Sequence, residues 1–520
     1  MDLWIAVLSA STLVVSMPAP VCGEPAAAAS LPPLRALCFD IRVVDDQTGR
    51  GVPLVELRTV SNLRYVTDSN GLVAFYEPGL MGRTVFFHVN SHGYEFPKDG
   101  FGYRGVKLQT KPGGSATLKV KRLNIAERLC RVVGEGIYRD SVLLGEPVPI
   151  REPLLNAQVT GSDSIVNAVY HGRVYWFWGD TNWPTYPLGN FHVPGATSLL
   201  PKDGGLDPAV GVDLTYFVRP DGFAKETCRM KGDGPTWIDG LTVLRDEVGR
   251  ERMFAAFVKP DKEMKPRRRG LCEWNDEKEA FEEMSEIPLD ATPGPSGHPF
   301  THAEDGVEYV YFATPFPLCR VPATVTAFSD LSAYESYTCL KEGTLPDQGE
   351  IERSPDGSAR FAWKHGTPPW SQEIENKLLK AGKLKPTDCL LQLRDADAGD
   401  IVSAHGGSVY WNEFRHRWIM ITVQSFGKPS FLGEVWYTEA DSPVGPWVSA
   451  HKVVTHDRMS FYNPKQHPMF DKDGGRAIFF EGTYVNTFSG NPDETPLYNY
   501  NQVLYKLDLT DPRLALPAPG

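Results

Sequence analysis

Several familiar signatures are missing from the sequence. There is no CxxC pair, no HExxH, no phosphate-binding glycine loop, no Rossmann glycine pattern and no nucleophile elbow around a serine. These absences argue against a structural zinc site, a zincin, a nucleotide-binding enzyme and an α/β-hydrolase. Positive charge is in deficit: 53 Lys and Arg stand against 65 Asp and Glu, a net charge of −12, which disfavours nucleic acid as a partner. Long apolar runs are also scarce. The run from Leu3 to Ser16 is too short to span a bilayer comfortably, and no other segment reads as transmembrane. With Pro18 to Gly23 and an Ala-rich stretch behind it, that run reads as a secretory signal peptide (1–23), although it lacks a basic start. The expected location is secreted or periplasmic. Eight scattered cysteines leave two readings open, buried free thiols or one or two disulfides such as Cys319–Cys339 or Cys228–Cys272.

What is present is β structure. Gly (48) and Pro (43) are plentiful, as many short strands and turns require. The stretch Gly161 to Asn182 reads as a hairpin. Asp163 enters a strand from Ile165 to Tyr170, His171-Gly172 turns the chain, and an aromatic strand, Val174 to Trp178, leads into Gly179-Asp180-Thr181. The two acids, Asp163 and Asp180, then meet at one end of the hairpin. The plan recurs four times, with leading polar residues Asp239, His298, His405 and His467. The intervals are 76, 59, 107 and 62 residues. Sheet units repeating every ~50–60 residues predict a propeller. Five units give five blades over 125–512, and the long interval implies an insertion at about 340–395 with a helix from Gln372 to Ala381 capped by Ser371. A strand from Gly136 to Leu144 is expected to close the ring against Asn501 to Asp508, and the tail after Asp511 to be loose. The basic run Lys265 to Arg269 reads as a solvated loop.

Ahead of the repeats lie a linker (24–35) and an all-β segment (36–124). Its Asp45-x-x-Thr48-Gly49-x-x-Val52 entry, Thr67-Asp68-x-x-Gly71 turn and Gly93-Tyr94 close resemble the carboxypeptidase-regulatory, prealbumin-like β-sandwich. That resemblance implies a structural or sugar-adhesive appendage. The expected fold is thus all-β, a five-bladed propeller preceded by a small β-sandwich.

The leading Asp163, the Trp178-Gly-Asp-Thr181 end and the segment from Gly433 to Trp447 (GEVWYTEADSPVGPW) resemble the five-bladed propeller glycosidases of families 43 and 32, and more closely the secreted endo-D-arabinanase-type propellers. The family-43 pattern implies Asp163 as general base and Asp239 as its orienting partner. Blade three departs, carrying His298 where that pattern has an acid. The arabinanase-type pattern implies Asp163 and Asp180 as the pair. Cleavage needs one carboxyl to protonate the leaving oxygen and another to attack or to activate water.

Around the acids, Trp178 and the loop residue Trp183 are candidate sugar contacts, Trp183 as a stacking platform. His298, His405 and His467, at equivalent positions, are candidates for substrate or ion contact. Glu434 and Glu481 follow runs that read as internal. Each is either a structural partner of a buried Arg or His or a catalytic or substrate-binding carboxylate. No cofactor is required, and a calcium ion in the channel is compatible with the reading. The expected partner is a poly- or oligosaccharide. The rival reading is a non-catalytic carbohydrate-binding or scaffold propeller; a propeller lyase or glycoside phosphorylase is a third.

Overall fold

The computed structural model describes residues 34–345 and 349–516. The signal-peptide expectation and nearly all of the linker lie outside them. Strand dominates the described chain, and no helix in it is long and apolar enough to cross a membrane.

Two four-stranded sheets come first. One runs Leu72–Phe75, Phe39–Asp45, Ser115–Arg122, Tyr94–Glu95, with Phe39–Asp45 and Ser115–Arg122 parallel. The other runs Arg64–Val66, Glu56–Thr59, Thr84–Asn90, Gly105–Gln109. Alternation sets the inward faces: Val85, Phe87 and Val89 are buried while Thr84 and Asn90 are exposed. These residues join Ile41, Leu57, Phe75 and Leu118 in one core.

Six further sheets follow. One is a small three-stranded sheet, Gly161–Ser162, Thr181–Trp183, Tyr186–Asn190; each of the other five, numbered here first to fifth, begins with a hairpin whose first strand leads the sheet: Ile165–Tyr170, Trp237–Arg245, Phe300–Glu304, Ala404–Asn412 and Ser460–Gln466. The apolar faces pack pairwise. Phe177 meets Phe257 between the first and second sheets, and Leu244 meets Val310 between the second and third. Ala313 meets Trp418 between the third and fourth, and Ile419 meets Phe480 between the fourth and fifth. The series returns on itself: Phe479 and Leu504 of the fifth sheet share a core with Ile165 and Trp176 of the first.

The strand that completes the fifth sheet is Glu127–Arg131, antiparallel to Asn501–Asp508. The partner is the expected one, but the closing strand is not. Residues 136–144 do not form a strand; Arg139–Leu144 is a short helix stopped by Gly145 in the left-handed conformation. Its Ser141 donates twice to Asp68, once through its amide and once through its hydroxyl, both at 2.7 Å. The fifth unit also begins one strand earlier than its sequence pattern suggests. Ser460–Gln466 leads, and His467 follows it, opening a 3-10 turn at Pro468–Phe470 where proline cannot continue the ladder.

Other expectations are corrected too. The tail is held through Leu514, buried in the core between the fourth and fifth sheets. Lys265 to Arg269 is no loop, since Pro266–Asn275 is a strand and Arg268 pairs with Glu283. All seven described cysteines are buried free thiols; Cys319 donates to Gly294 O at 3.1 Å instead of pairing with Cys339. The inserted helix, Gln372–Lys380, does form, with Ser371 Oγ accepting from the Ile374 amide. It packs against Leu391 and Trp370 beside the fourth sheet, and Gln372 Oε1 accepts from the Ala404 amide at the head of that sheet's leading strand at 3.1 Å.

Arg128, from the closing strand, is buried, with its guanidinium in the first β unit. It donates to Pro53 O (3.0 Å) and His92 O (3.2 Å) and lies over the Tyr94 ring. Arg128→Met leaves several buried acceptors unpaired, each worth about 1–3 kcal/mol. The expected result is a loss of roughly 3 kcal/mol or more, read from the urea midpoint; an unchanged midpoint would refute the clamp.

Candidate functional site

The hairpin is built as its sequence suggests. His171 (φ 48) and Gly172 (φ 71) make a two-residue turn with both φ positive, and the register runs from Tyr170↔Arg173 to Ile165↔Trp178. Beyond Ile165 the ladder breaks at Ser164 (φ 45), then resumes with Gly161 and Ser162 against Asn182 and Thr181. At the break the Gly179 amide donates to Asp163 O at 2.8 Å. The glycine at 179 leaves room for the Asp163 carboxyl, since a Cβ there would stand 2.2 Å from Asp163 Oδ1 and push that group aside.

The break lets Asp163 line a cavity of about 730 Å³. All five sheets contribute to it: Asp163 from the first, Asp239 from the second, His298 ahead of the third, His405 from the fourth and Tyr462 from the fifth. Burial pushes the Asp163 carboxyl up to about 7. The Tyr462 hydroxyl, donating at 2.8 Å, and that of Tyr500 oppose the rise, while the nearby charge of Asp180 adds to it. Asp239 is raised by burial too, against the Gly297 and Gly240 amides, the latter donating at 3.0 Å. These amides favour its ionised form.

Asp180 is not a lining residue. Its carboxylate accepts from Trp237 Nε1 at 2.9 Å, and it is Trp237 that faces the cavity. Burial raises Asp180, and this hydrogen bond opposes the shift.

The remaining candidates divide. Trp178 reaches the cavity edge but is 1% exposed, sandwiched by Trp176 and Tyr216. Trp183 does not line that cavity. It packs on Phe223 with centroids 4.5 Å apart and borders a separate hollow with Tyr186, so it is no platform for a sugar at Asp163. Glu434 is fully buried, accepting from Thr455 at 2.7 Å and pairing with Lys452 at 3.0 Å, and lies outside the cavity lining. Its partner is thus an exposed lysine and not the buried Arg or His that the sequence suggests. His298 is buried at the cavity floor and held neutral by burial and by Lys465 and His467 behind it. His405 is exposed at the wall.

His467 and Glu481 lie deeper and do not line the cavity. His467 Nε2 stands 3.6 Å from Glu481 Oε2, and both side chains are fully buried. Lys465 completes this cluster, its ammonium donating to Asn167 O at 2.8 Å and its pKa lowered by burial to about 7. A calcium ion does not fit these residues. Lys465 already places a positive charge beside Glu481, and no group of three or more His, Cys, Asp or Glu able to hold a metal occurs among the described residues.

Sequence reading missed Tyr462, Tyr500 and Trp237. Trp237 carried a signal, since it stands two residues before Asp239 on the same face of a strand. The tyrosines carried none: they reach Asp163 from 299 and 337 residues away in the chain.

No protein-family model matches the chain, and no curated protein matches its sequence. Solved structures are similar at a distance. An exo-β-1,3-galactanase from Phanerochaete chrysosporium with galactose is 9% identical, covering 75% of this chain and 67% of its own, with a TM-score of 0.36. An exo-1,5-α-L-arabinanase from a bovine ruminal metagenomic library is 9% identical over 68% and 94%, TM-score 0.33. The GH43_1 enzyme from Xanthomonas citri complexed with xylotriose is 10% identical over 69% and 90%, TM-score 0.34.

The carboxyl of Asp163 has a pH signature. An unfolded Asp titrates near ~3.9 and the folded one at about 7, so the folded state binds more protons between these values. This group's contribution to stability therefore falls as pH rises from ~4 to ~7 and stays lost above that range. Asp163→Asn removes this penalty. The difference in Tm, variant minus wild type, is expected to be more positive at pH 8 than at pH 4 by about 2 °C or more. A difference independent of pH would refute the shift.

Proposed function

We propose that the five consecutive sheets are the blades of a five-bladed β-propeller and that the protein is a glycoside hydrolase acting on a poly- or oligosaccharide in the cavity where the leading strands meet. The observation that carries this reading is the joint presence of Asp163 and Asp239 in one cavity, the first holding its proton up to about pH 7. Paired carboxyls with different environments are what glycoside cleavage asks for. Asp163 gives its proton to the leaving glycosidic oxygen. Asp239, its anion supported by two backbone amides, attacks the anomeric carbon or takes a proton from the water that does so. Asp180 acts through Trp237, fixing the indole along the wall. This pair replaces the Asp163–Asp180 pair that the hairpin alone suggests.

Under this reading residues 36–124 are an accessory sandwich, and the leader-like first 23 residues direct the protein to the secretory route. The alternative, a non-catalytic glycan-binding propeller, is favoured by one observation: the third sheet brings His298 to the cavity and no carboxylate.

Reducing-end release from arabinan, β-1,3-galactan and xylan tests the proposal. Asp163→Asn and Asp239→Asn are each expected to cut kcat by about 10²–10⁴-fold while the protein stays folded. Full activity in either variant would remove that residue from the chemistry, and no release by wild type would favour the binding reading. The anomer formed first, seen by proton NMR, reports the carboxyl separation, about 5 Å for retention and ~6.5–9.5 Å for inversion.

A further inference from the structure

Four large apolar side chains stand in water around the cavity mouth. Met264 is 66% exposed, Phe426 74%, Phe488 61% and Phe431 42%, and all four line the cavity. Three of them share an origin. Met264, Phe426 and Phe488 lie on the loops that join the second and third strands of the second, fourth and fifth sheets. They also share a backbone state, with φ of 66°, 61° and 67°. A bulky residue in the left-handed region costs roughly 1–2 kcal/mol, and glycine would hold the same turn at no steric cost. Exposing a large apolar group and straining the backbone to do it are two penalties met three times around one opening.

The loops are held, not loose. Asp261 Oδ1 accepts the Glu263 and Lys265 amides, and the Met264 amide donates to Asp261 O at 3.0 Å. Asn486 clasps the Phe488 loop: its amide donates to Asn499 Oδ1 at 2.9 Å, its side chain to Asn491 O at 3.1 Å. Phe426 and Phe431 pack edge to face with centroids 5.0 Å apart, and Phe488 meets Tyr462 at 5.9 Å. Strain of this kind persists where the surroundings over-determine it, and it clusters at ligand clamps.

We infer that this rim is a binding surface for sugar units lying beyond those inside the cavity, and that the glycan is a neutral chain longer than the cavity holds. Aromatic faces stack on the C–H faces of sugar rings, so rings fixed around an opening suit an extended glycan. The charge argument fixes the class. Asp163 and Asp239 line the cavity, and its described lining holds neither lysine nor arginine. A uronate in the cavity would meet the Asp239 carboxylate with no lysine or arginine to pair with. The inference rests on the carbohydrate reading above and specifies the substrate of the same site.

Affinity electrophoresis in gels containing arabinan, β-1,3-galactan, xylan or polygalacturonate tests it without requiring turnover. The intact protein is expected to be retarded by a neutral polymer and not by polygalacturonate. Phe426→Ala and Phe488→Ala are each expected to weaken the neutral binding about tenfold. Phe488→Gly separates binding from folding, since it relieves the backbone strain. It is expected to keep or raise Tm while losing the same affinity. Unchanged affinity in the alanine variants, preferential binding of polygalacturonate, or an effect confined to oligomeric state would overturn the inference. Rim-dependent binding with no bond cleavage would sink the hydrolase reading and leave this one standing.

Discussion

The pairing of Glu127–Arg131 with Asn501–Asp508 is the interaction on which the arrangement rests. All five residues of the short strand are buried. Leu129 and Cys130 enter the core shared by the fifth and first sheets, while Arg128 reaches into the first β unit and Arg131 lies over Tyr498. One strand thereby completes the last sheet, joins it to the first and anchors the preceding unit. The cavity needs all five sheets in register, so its geometry depends on a pairing that spans more than 370 residues of chain. Tyr498 reinforces the joint by donating to Thr67 O at 2.7 Å and accepting from the Leu54 amide at 3.1 Å.

Within that frame the second constraint is the burial of charge. Asp163 sits at a break in a ladder, under two tyrosine hydroxyls and against a glycine that leaves it just enough room. Asp239 is buried and accepts from two backbone amides, and Asp180 is tied to an indole. Three aspartates a few residues from strand ends therefore have three different environments. Differences of this kind let identical side chains take unlike roles.

Much of this was legible in the sequence, and the failures have physical causes. The hairpin, its turn and both acids could be read because period-two alternation and a His-Gly turn are local signals. The Asn501–Asp508 strand and the Ser371 cap were legible for the same reason. The strand that completes the fifth sheet was misplaced because pairing between distant parts of the chain is non-local: nothing in Glu127–Arg131 says that its partner lies near the other end of the chain. His467 was assigned to the head of its unit because His-Pro resembles the His298-Pro299 of the third, yet proline ends one strand here and precedes another there. Trp183 and Glu434 looked like sugar contacts by residue type alone; packing on Phe223 and pairing with Lys452 are decided by tertiary neighbours. The strained apolar rim could not be seen in the sequence, because φ at Met264, Phe426 and Phe488 is imposed by their clasped loops.

That rim also has a colloidal side. Exposed phenylalanines concentrated at one opening form the kind of patch through which molecules in a crowded solution stick together. A net charge of −12 supplies the opposing repulsion. The repulsion is long-ranged at low ionic strength and shrinks to about 8 Å at physiological salt, whereas the attraction of apolar surface does not weaken with salt. The solubility of this protein is thus a balance between an acidic surface and one greasy mouth, and dissolved electrolyte shifts that balance toward self-association.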